Sequence, residues 1–587
     1  MVAVCGVLVA TAAVPAGHRA PARTQAPPEP ALFVSPNGSA AGPCSQTSPC
    51  ASWNAAYQRA RPGQVIGVAG GTYPGQTIEG RSATRNLSPG CTPADPARCI
   101  VFRPAAGASV AVQGNLQVDG SSVWIQGTSS PASPVPTRGR TFSITVSGYV
   151  DTEATSEEDF PDHVVVQGIA ATSFGVFGVH HALFRDLDIG PATVGAGCNI
   201  VEGPGIENKI GIGGGIEVVP TDVTLDGLLI HNQNRNQAGA DSDCHFGGLF
   251  LATANRLTIE RSVFSQDAVY DIQVQNFDGV PPPAHVTIQN NWFGCPTLWL
   301  YQAGGEGQCD GQEAIQFNSD APFTDWLIRY NSFVSGIGQY VDGASFSDVR
   351  VVGNAGSDPQ ACFSGMTFAY NAWTGRRCAP TDRRLGDLPF VSSVPGREDL
   401  ALAQRSAAAA LVPPSSGDLR LDSDIAGHRR PSLYPRAAGS LERDTSLLVP
   451  GRSIGSVSLG TPAARIAATY GPLRGRSTSR LGARRTSAQV ATVAAPGGAL
   501  RVTEIGGTVV GVATTSPFYS SPGGVGVGAP LAAAARIPHA TWVPCVHAIR
   551  VRVGGVAVSF QSTAAKRRIT GISMIRDALV APCAKRR

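Results

Sequence analysis

The densest cluster of residues able to do chemistry is Asp241-Ser242-Asp243-Cys244-His245. His231 stands upstream of it. Arg261, Asp267 and Asp271 follow, and Asp310, Glu313 and Asp320 come later. Hard oxygen donors at this density suit Ca2+, and Asp241, Asp243 and Asp271 are the expected metal ligands. A cation beside a substrate carboxylate acidifies the proton on the neighbouring carbon, so a base placed there would drive β-elimination. His245 or Arg261 would be that base, which makes Asp243, His245, Arg261 and Asp271 the candidate catalytic set. Two of these acids at a suitable separation would instead support glycosidic hydrolysis. The same residues have a plainer use, with the aspartates capping turns and His245 filling space beside a disulfide. Trp299 and Tyr301 are candidates to stack on sugar rings, and Gln273 and Gln316 to bind substrate hydroxyls. Trp292 and Trp326 fall inside apolar segments, where core packing competes with stacking on a ligand. Gly211-Ile212-Gly213-Gly214-Gly215 lacks the Lys-Ser/Thr of a phosphate loop and reads as an insertion.

Residues this far apart converge only if the chain repeats a fixed path. From about Ser122 onward it does. Aligned segments read VVVQGIAA from Val164, ALFRDLDI from Ala182, VTLDGLLI from Val223 and LTIERSVF from Leu257. They continue as VTIQNNWF from Val286, WLIRYNSF from Trp326, VRVVGNAG from Val349 and MTFAYNAW from Met366. Apolar residues at the first and third positions predict a strand with one buried face. Starts lie 17 to 41 residues apart, the signature of a solenoid of short strands. The sixth position is Asn at 291, 331, 354 and 371. Stacked at about 4.8 Å, these side chains predict an asparagine ladder at a left-handed turn. A second strand per coil is expected around Leu249, Ile272 and Ile315. The first interval is 23 residues; the second, 43, holds either another coil or an inserted loop.

The opening LFVSPNGSAAGPCSQTSPCASWNAAYQRARPGQVIGVAGGTYPG, Leu32 to Gly75, resembles the first segment of secreted bacterial right-handed parallel β-helix proteins of the pectate-lyase-like superfamily. Gly71-Thr72-Tyr73 matches that family's turn into the first coil. Asp424-Ile425-Ala426-Gly427-His428-Arg429-Arg430-Pro431 is similar to the D-x-x-G-x-x-R-P signature that closes many such helices. The resemblance covers roughly residues 32 to 440. It implies an all-β, right-handed parallel β-helix with an N-terminal capping helix at about Ser52 to Arg61. The fold hosts lyases, hydrolases, epimerases, esterases and adhesins, so activity must be argued from the site. The G-H-G and R-x-K of polygalacturonases and the Arg-x-Pro-x-x-Arg of pectate lyases are both missing from the sequence.

Composition agrees with a large β protein. Hydrophobic residues make up 42% and charged residues only 15%, with 69 Gly and 44 Pro to supply turns. That excludes a disordered chain, a helical bundle and a multispan membrane protein. Residues 1–30 read as a signal peptide and Pro/Ala-rich leader, with the uncharged run Val2 to Pro15 as its core. No later membrane span is expected. Leaving out Cys5, twelve cysteines remain, and pairing sequence neighbours is the simplest connectivity. That gives Cys44/Cys50, Cys91/Cys99, Cys198/Cys244, Cys295/Cys309, Cys362/Cys378 and Cys545/Cys583. Bridges of this number belong outside the cell.

Residues 31–440 are expected to form the β-helix domain and 441–587 a basic α+β domain of two repeats. GSVSLGTP from Gly455 returns as GGVGVGAP from Gly523, each followed by an Ala-rich helical stretch and strand-like runs. This region resembles β-lactamase-inhibitor-protein-like modules, which pack a helix on a sheet. It holds 19 basic and 4 acidic residues, a net +15, against 27 and 38, a net −11, in residues 1–440. The whole-chain +4 conceals that division. Two functions follow: a secreted lyase or hydrolase acting on acidic polysaccharide, or a non-catalytic surface protein whose basic domain holds a cell-wall polymer. A monomer is expected, without sequence-specific nucleic-acid binding.

Overall fold

The computed structural model describes residues 29–580, except 82–89, 131–134, 157–158, 193–204, 208–217, 234–246, 268–269, 277–279, 295–312, 341–342, 395–398, 404–405, 414–416, 420, 427–429, 431–435, 442–447, 456, 465, 467–472, 496–497, 517–518, 520, 522–524 and 564–566. The aligned repeats form one sheet. Val223, Leu257, Val286, Trp326, Val349 and Met366 pair in parallel register, first position on first position. The third positions Leu225, Ile259, Ile288, Ile328 and Val351 are all fully buried, as alternation requires. This sheet I has twelve strands, from Leu32–Ser39 to Met366–Ala369.

The other side begins as long strands, Gly71–Ile78, Val110–Val118, Ile144–Glu153 and Ile169–Phe177. Ile169–Phe177 then pairs with two strands at once, Asp188–Ile189 at its start and Gly205–Glu207 at its end. From there the side divides. Sheet II continues through Leu229–His231, Val263–Ser265, Trp292–Phe293 and Ser332–Phe333 to Arg383–Arg384. Sheet III continues through Leu249–Leu251, Ile272–Val274, Ile315–Phe317 and Ile337–Gln339. Every one of these pairings is parallel. These coils form a parallel β-helix. Ile272 pairs directly with Ile315, so the 43-residue interval is one coil carrying an insertion.

The ladder holds, but its left-handed residue lies one position earlier than the sequence suggests. Asp186, Gly227, Arg261, Asn290, Tyr330, Gly353 and Tyr370 carry φ between +52° and +71°. The asparagine after that corner runs its side chain along the helix axis instead. Asn291, Asn331, Asn354 and Asn371 each donate through Nδ2 to a third-position carbonyl of the previous coil, at 2.8 to 2.9 Å. Each also accepts through Oδ1 from the backbone N–H of the preceding rung, Ser262 or the previous Asn, at 2.8 to 2.9 Å. Asp382 Oδ1 accepts from Asn371 N at 2.9 Å and ends the chain of bonds.

Residues near the end of this domain cover sheet II from outside. Phe390, Leu402, Val412 and Ile425 pack with Val263, Trp292, Tyr330 and Ala355. Arg430, from the closing signature, is buried and donates to Asn290 Oδ1 at 2.8 Å and to the Gly439 carbonyl at 2.9 Å. Its guanidinium lies 4.2 Å from the Tyr330 ring centroid. At the other end, helix Trp53–Arg59 starts where Ser52 Oγ accepts from Ala55 N, and Trp53 stacks on Phe102 at 5.2 Å. Disulfides join Cys44 to Cys50, Cys91 to Cys99 and Cys362 to Cys378. Cys545 is also disulfide-bonded. Cys198, Cys244, Cys295, Cys309 and Cys583 lie outside the described residues.

Residues from Leu448 onward have their own core and one eight-stranded antiparallel sheet. Two meanders, each of four strands, meet at its centre, Thr508–Thr514 beside Gly571–Arg576. Equivalent bonds recur in the halves: Gly460 N to Val509 O and Gly528 N to Ile569 O, both at 2.8 Å. Strands Arg474–Leu481 and Thr486–Ala495 escape the sequence reading because Arg, Ser and Thr replace the apolar alternation.

Asn331→Ala would take the acceptor from the Asn291 N–H and a donor from both the Ile288 carbonyl and Asn354 Oδ1 in a dry interior. Stability measured by chemical denaturation should fall by on the order of 3 kcal/mol. An unchanged midpoint would show that the ladder is decorative.

Candidate functional site

Sheets II and III meet at a corner where coils differ most in length. One coil turns through residues 266–271; its neighbours insert longer segments, 232–248 before it and 294–314 after it. Asp267 sits in the short turn, fully buried, and its Oδ1 accepts from Gln233 N at 3.1 Å. Burial pushes its carboxyl well above the usual carboxylate range, against the pull of that hydrogen bond. Gly248 is glycine for a spatial reason: a Cβ there would stand 2.6 Å from Asp267 Oδ2. Gln233 and Gly248 therefore both rest against one carboxyl. Asp271, at the start of the next sheet III strand, is completely buried.

On sheet III, Phe250, Gln273, Gln316 and Gly338 align in register between core-facing neighbours such as Ile272, Val274, Ile315 and Phe317. Gln273 Nε2 donates to Gln275 Oε1 at 3.1 Å, and Gln316 Nε2 donates to Glu313 Oε2 at 3.2 Å. Tyr270 is hydrogen-bonded to the Gln316 side chain. Burial raises the Tyr270 phenol, the Gln316 bond lowers it, and the nearby Glu313 carboxylate raises it again. Glu313 folds over Gly338, where any Cβ would fall 2.2 Å from its Cγ. Tyr340, 71% exposed, stands on the next coil. The corner thus holds a carboxylate, a phenol that keeps its proton and a row of amides, with Tyr270, Gln273 and Gln316 buried.

Of the residues singled out in the sequence, Asp267, Asp271, Gln273, Glu313 and Gln316 come to this corner together. Arg261 does not. It occupies the left-handed turn between sheets I and II, where its guanidinium and that of Arg185 grip the buried Asp226 carboxylate. Engaged there, it is a structural cation. Trp292 packs edge-on against Phe390 at 4.9 Å, and Trp326 Nε1 donates to the Pro283 carbonyl at 2.9 Å, so both belong to cores. Asp241, Asp243, His245, Trp299 and Tyr301 lie outside the described residues. The sequence reading passed over Tyr270. Its signal was present: Tyr270 stands three residues before Gln273 as Glu313 stands three before Gln316.

No family model matches the chain, and no curated protein does. Among solved structures it is similar to pectate lyase Pel9A, at 13% identity over 70% of this chain and 96% of that one, with a TM-score of 0.26. XylC in complex with xylose aligns at 10% identity over 70% and 98%, TM-score 0.33. The tailspike gp49 of Acinetobacter baumannii bacteriophage Fri1, a capsular polysaccharide depolymerase, aligns at 11% over 88% and 80%, TM-score 0.25.

Asp267 holds its proton more tightly folded than unfolded. Its contribution is therefore fully present below the ordinary carboxylate range and is lost as pH rises through the shifted value. Asp267→Asn keeps the acceptor for Gln233 and cannot ionise. As pH rises above the ordinary carboxylate range, the melting temperature of the variant should gain steadily on that of the parent. A constant difference across that rise would mean that Asp267 does not titrate upward.

Proposed function

We propose that this is an extracellular protein acting on acidic polysaccharide at the corner of sheets II and III, as a lyase or a hydrolase. The observation that supports the reading is the shared register of Tyr270 with Glu313 and of Gln273 with Gln316 on one face. Disulfide bonding fits an oxidising compartment, and among the described residues no helix is long and apolar enough to cross a membrane.

The chemistry follows from the protonation states. Glu313 serves as the base that takes the proton beside the uronate carboxyl. Tyr270, which keeps its proton, gives it to the departing glycosidic oxygen. Elimination then leaves a double bond in one fragment and a hydroxyl on the other. In hydrolysis the same pair would activate a water and protonate the same oxygen. Gln273 and Gln316 orient sugar hydroxyls. Asp243 and His245 belong to the proposal because Gln233 and Gly248, which flank them in sequence, both lie beside Asp267. Ca2+ held by Asp241, Asp243 and Asp271, an all-carboxylate donor set, would neutralise the substrate carboxylate when bound.

Incubation with uronate-containing polymers should release fragments, with ultraviolet absorbance if the reaction is elimination and reducing ends alone if it is hydrolysis. Glu313→Gln should lower the rate by about a hundredfold or more. Full activity in both Glu313→Gln and Tyr270→Phe would remove this corner from consideration.

A second reading rests on a separate observation. The edge strand Arg474–Leu481 is exposed along most of its length and carries Arg474, Arg476 and Arg480, with Arg484 and Arg485 in the next turn. This row would hold an anionic cell-wall polymer and leave the β-helix as a platform. Co-sedimentation with such a polymer should weaken steeply with added salt, and triple replacement of Arg474, Arg476 and Arg480 by Ser should remove it. Salt-independent binding would exclude an electrostatic attachment.

A further inference from the structure

A second line of left-handed residues runs along the corner where the chain enters sheet I, one residue before the first position of each repeat. It comprises Ser122, His163, His181, Asp222, Arg256, His285, Asp325 and Asp348, with φ between +52° and +58°. Parallel register sets each beside the next, because Asp162 pairs with His180, His180 with Thr221 and Thr221 with Asn255. Most of these side chains are charged or imidazole, and neighbouring rungs interact directly. His163 and His181 stack at 4.4 Å with only 20° between their planes.

We propose that Asp162, His163 and His181 form a binding site for Zn2+ or a similar borderline divalent ion such as Co2+ or Ni2+, bridging two successive coils. Three donor atoms converge there. His163 Nδ1 lies 2.9 Å and His181 Nδ1 2.8 Å from the same oxygen, Asp162 Oδ1. All three ligand atoms fall within 4.8 Å of one another. Tetrahedral zinc with ligands at about 2.0 to 2.1 Å sets donors roughly 3.3 Å apart, so small side-chain adjustments would seat the ion. Two imidazole nitrogens with one carboxylate favour such ions over Ca2+ or Mg2+.

The surroundings complete the pattern. His181 Nε2 stands 3.4 Å from Asp222 Oδ2, and Asp222 is clamped by Arg256 Nε and Nη2, both at 2.6 Å. A carboxylate behind the far nitrogen of a ligating imidazole fixes the tautomer that presents the near nitrogen to a metal. Side-chain exposures of 37% for Asp162, 14% for His163 and 47% for His181 leave the fourth position open to water. The ligands stand at the heads of strands Asp162–Gln167 and His180–Arg185, so an ion would tie neighbouring coils together. This corner is separate from the proposed carboxylate site at sheets II and III.

The test uses the full untagged chain, stripped with chelator and titrated with Zn2+ by calorimetry and with Co2+ by visible absorption. One tight ion per chain is expected, with the d–d bands of nitrogen-and-oxygen-ligated Co2+ and a higher melting temperature in Zn2+. His163→Ala and His181→Ala should each abolish stoichiometric binding, and Asp222→Asn should weaken it about tenfold. His285→Ala and the triple variant Asp241→Asn, Asp243→Asn, Asp271→Asn should bind as the parent does. Absence of stoichiometric binding by the parent, or equal binding by the folded His163→Ala and His181→Ala variants, would overturn the proposal and leave an ion-pair cluster.

Discussion

A single file of side-chain hydrogen bonds parallel to the axis holds the coils in step. It begins where Leu228 N donates to Ser262 Oγ and runs through Asn291, Asn331, Asn354 and Asn371 to Asp382. Parallel ladders are evenly spaced, and a shift of one residue would turn every core side chain outward. The buried amides oppose that shift with a second penalty, since a displaced rung would lose its partners on both sides in a dry interior. Apolar burial favours stacking in general. The ladder selects one register. Arg430 reinforces it from outside by joining Asn290 and Tyr330, corner residues of adjacent coils.

Once register is set, sequence distance stops mattering. Tyr270 and Glu313 are 43 residues apart and meet as equivalents on successive coils, because Ile272 pairs directly with Ile315. His163 and His181 meet over 18 residues for the same reason. From Leu229 to Gln339, coil length varies most at the corner between sheets II and III. The corners flanking sheet I hold a left-handed residue in coil after coil. The first kind of corner can be shaped around a substrate; the second presents a fixed spacing.

How much of this was legible depended on whether burial or geometry made the signal. Strands of sheet I announced themselves, since Val286 and Ile288, or Trp326 and Ile328, alternate with polar residues over a strand long enough to count. Sheet III strands such as Ile272–Val274 are only three residues long and give almost no periodicity, so alignment of Gln273 with Gln316 was needed to find them. The asparagines were legible as a ladder but misleading as a turn. Backbone handedness there belongs to whatever residue precedes them, including Tyr330 and Tyr370, which sequence preferences would not select. Arg261 looked like a free base because its partner Asp226 lies a coil away. The His163, His181 and Asp222 line carries no apolar signal of its own, since it lies one residue before the first apolar position of each repeat.

The two lines of corner residues also show why polar chemistry gathers at edges of this fold. Inside the coils every position is committed to stacking, and the outer face of sheet II is closed by Phe390, Leu402 and Val412. Polar side chains project at corners and from the uncovered faces of the sheets, as Arg350 does from sheet I. At the corner entering sheet I, left-handed backbone repeats and spacing is uniform, so imidazole, carboxylate and guanidinium meet in pairs of ordinary hydrogen-bond length, as His285 and Asp325 do at 2.8 Å. Such regularity suits an ion, which needs a few donors at set distances. A polymer needs a surface with shape, and the corner between sheets II and III, with its unequal coils, departs from the repeat.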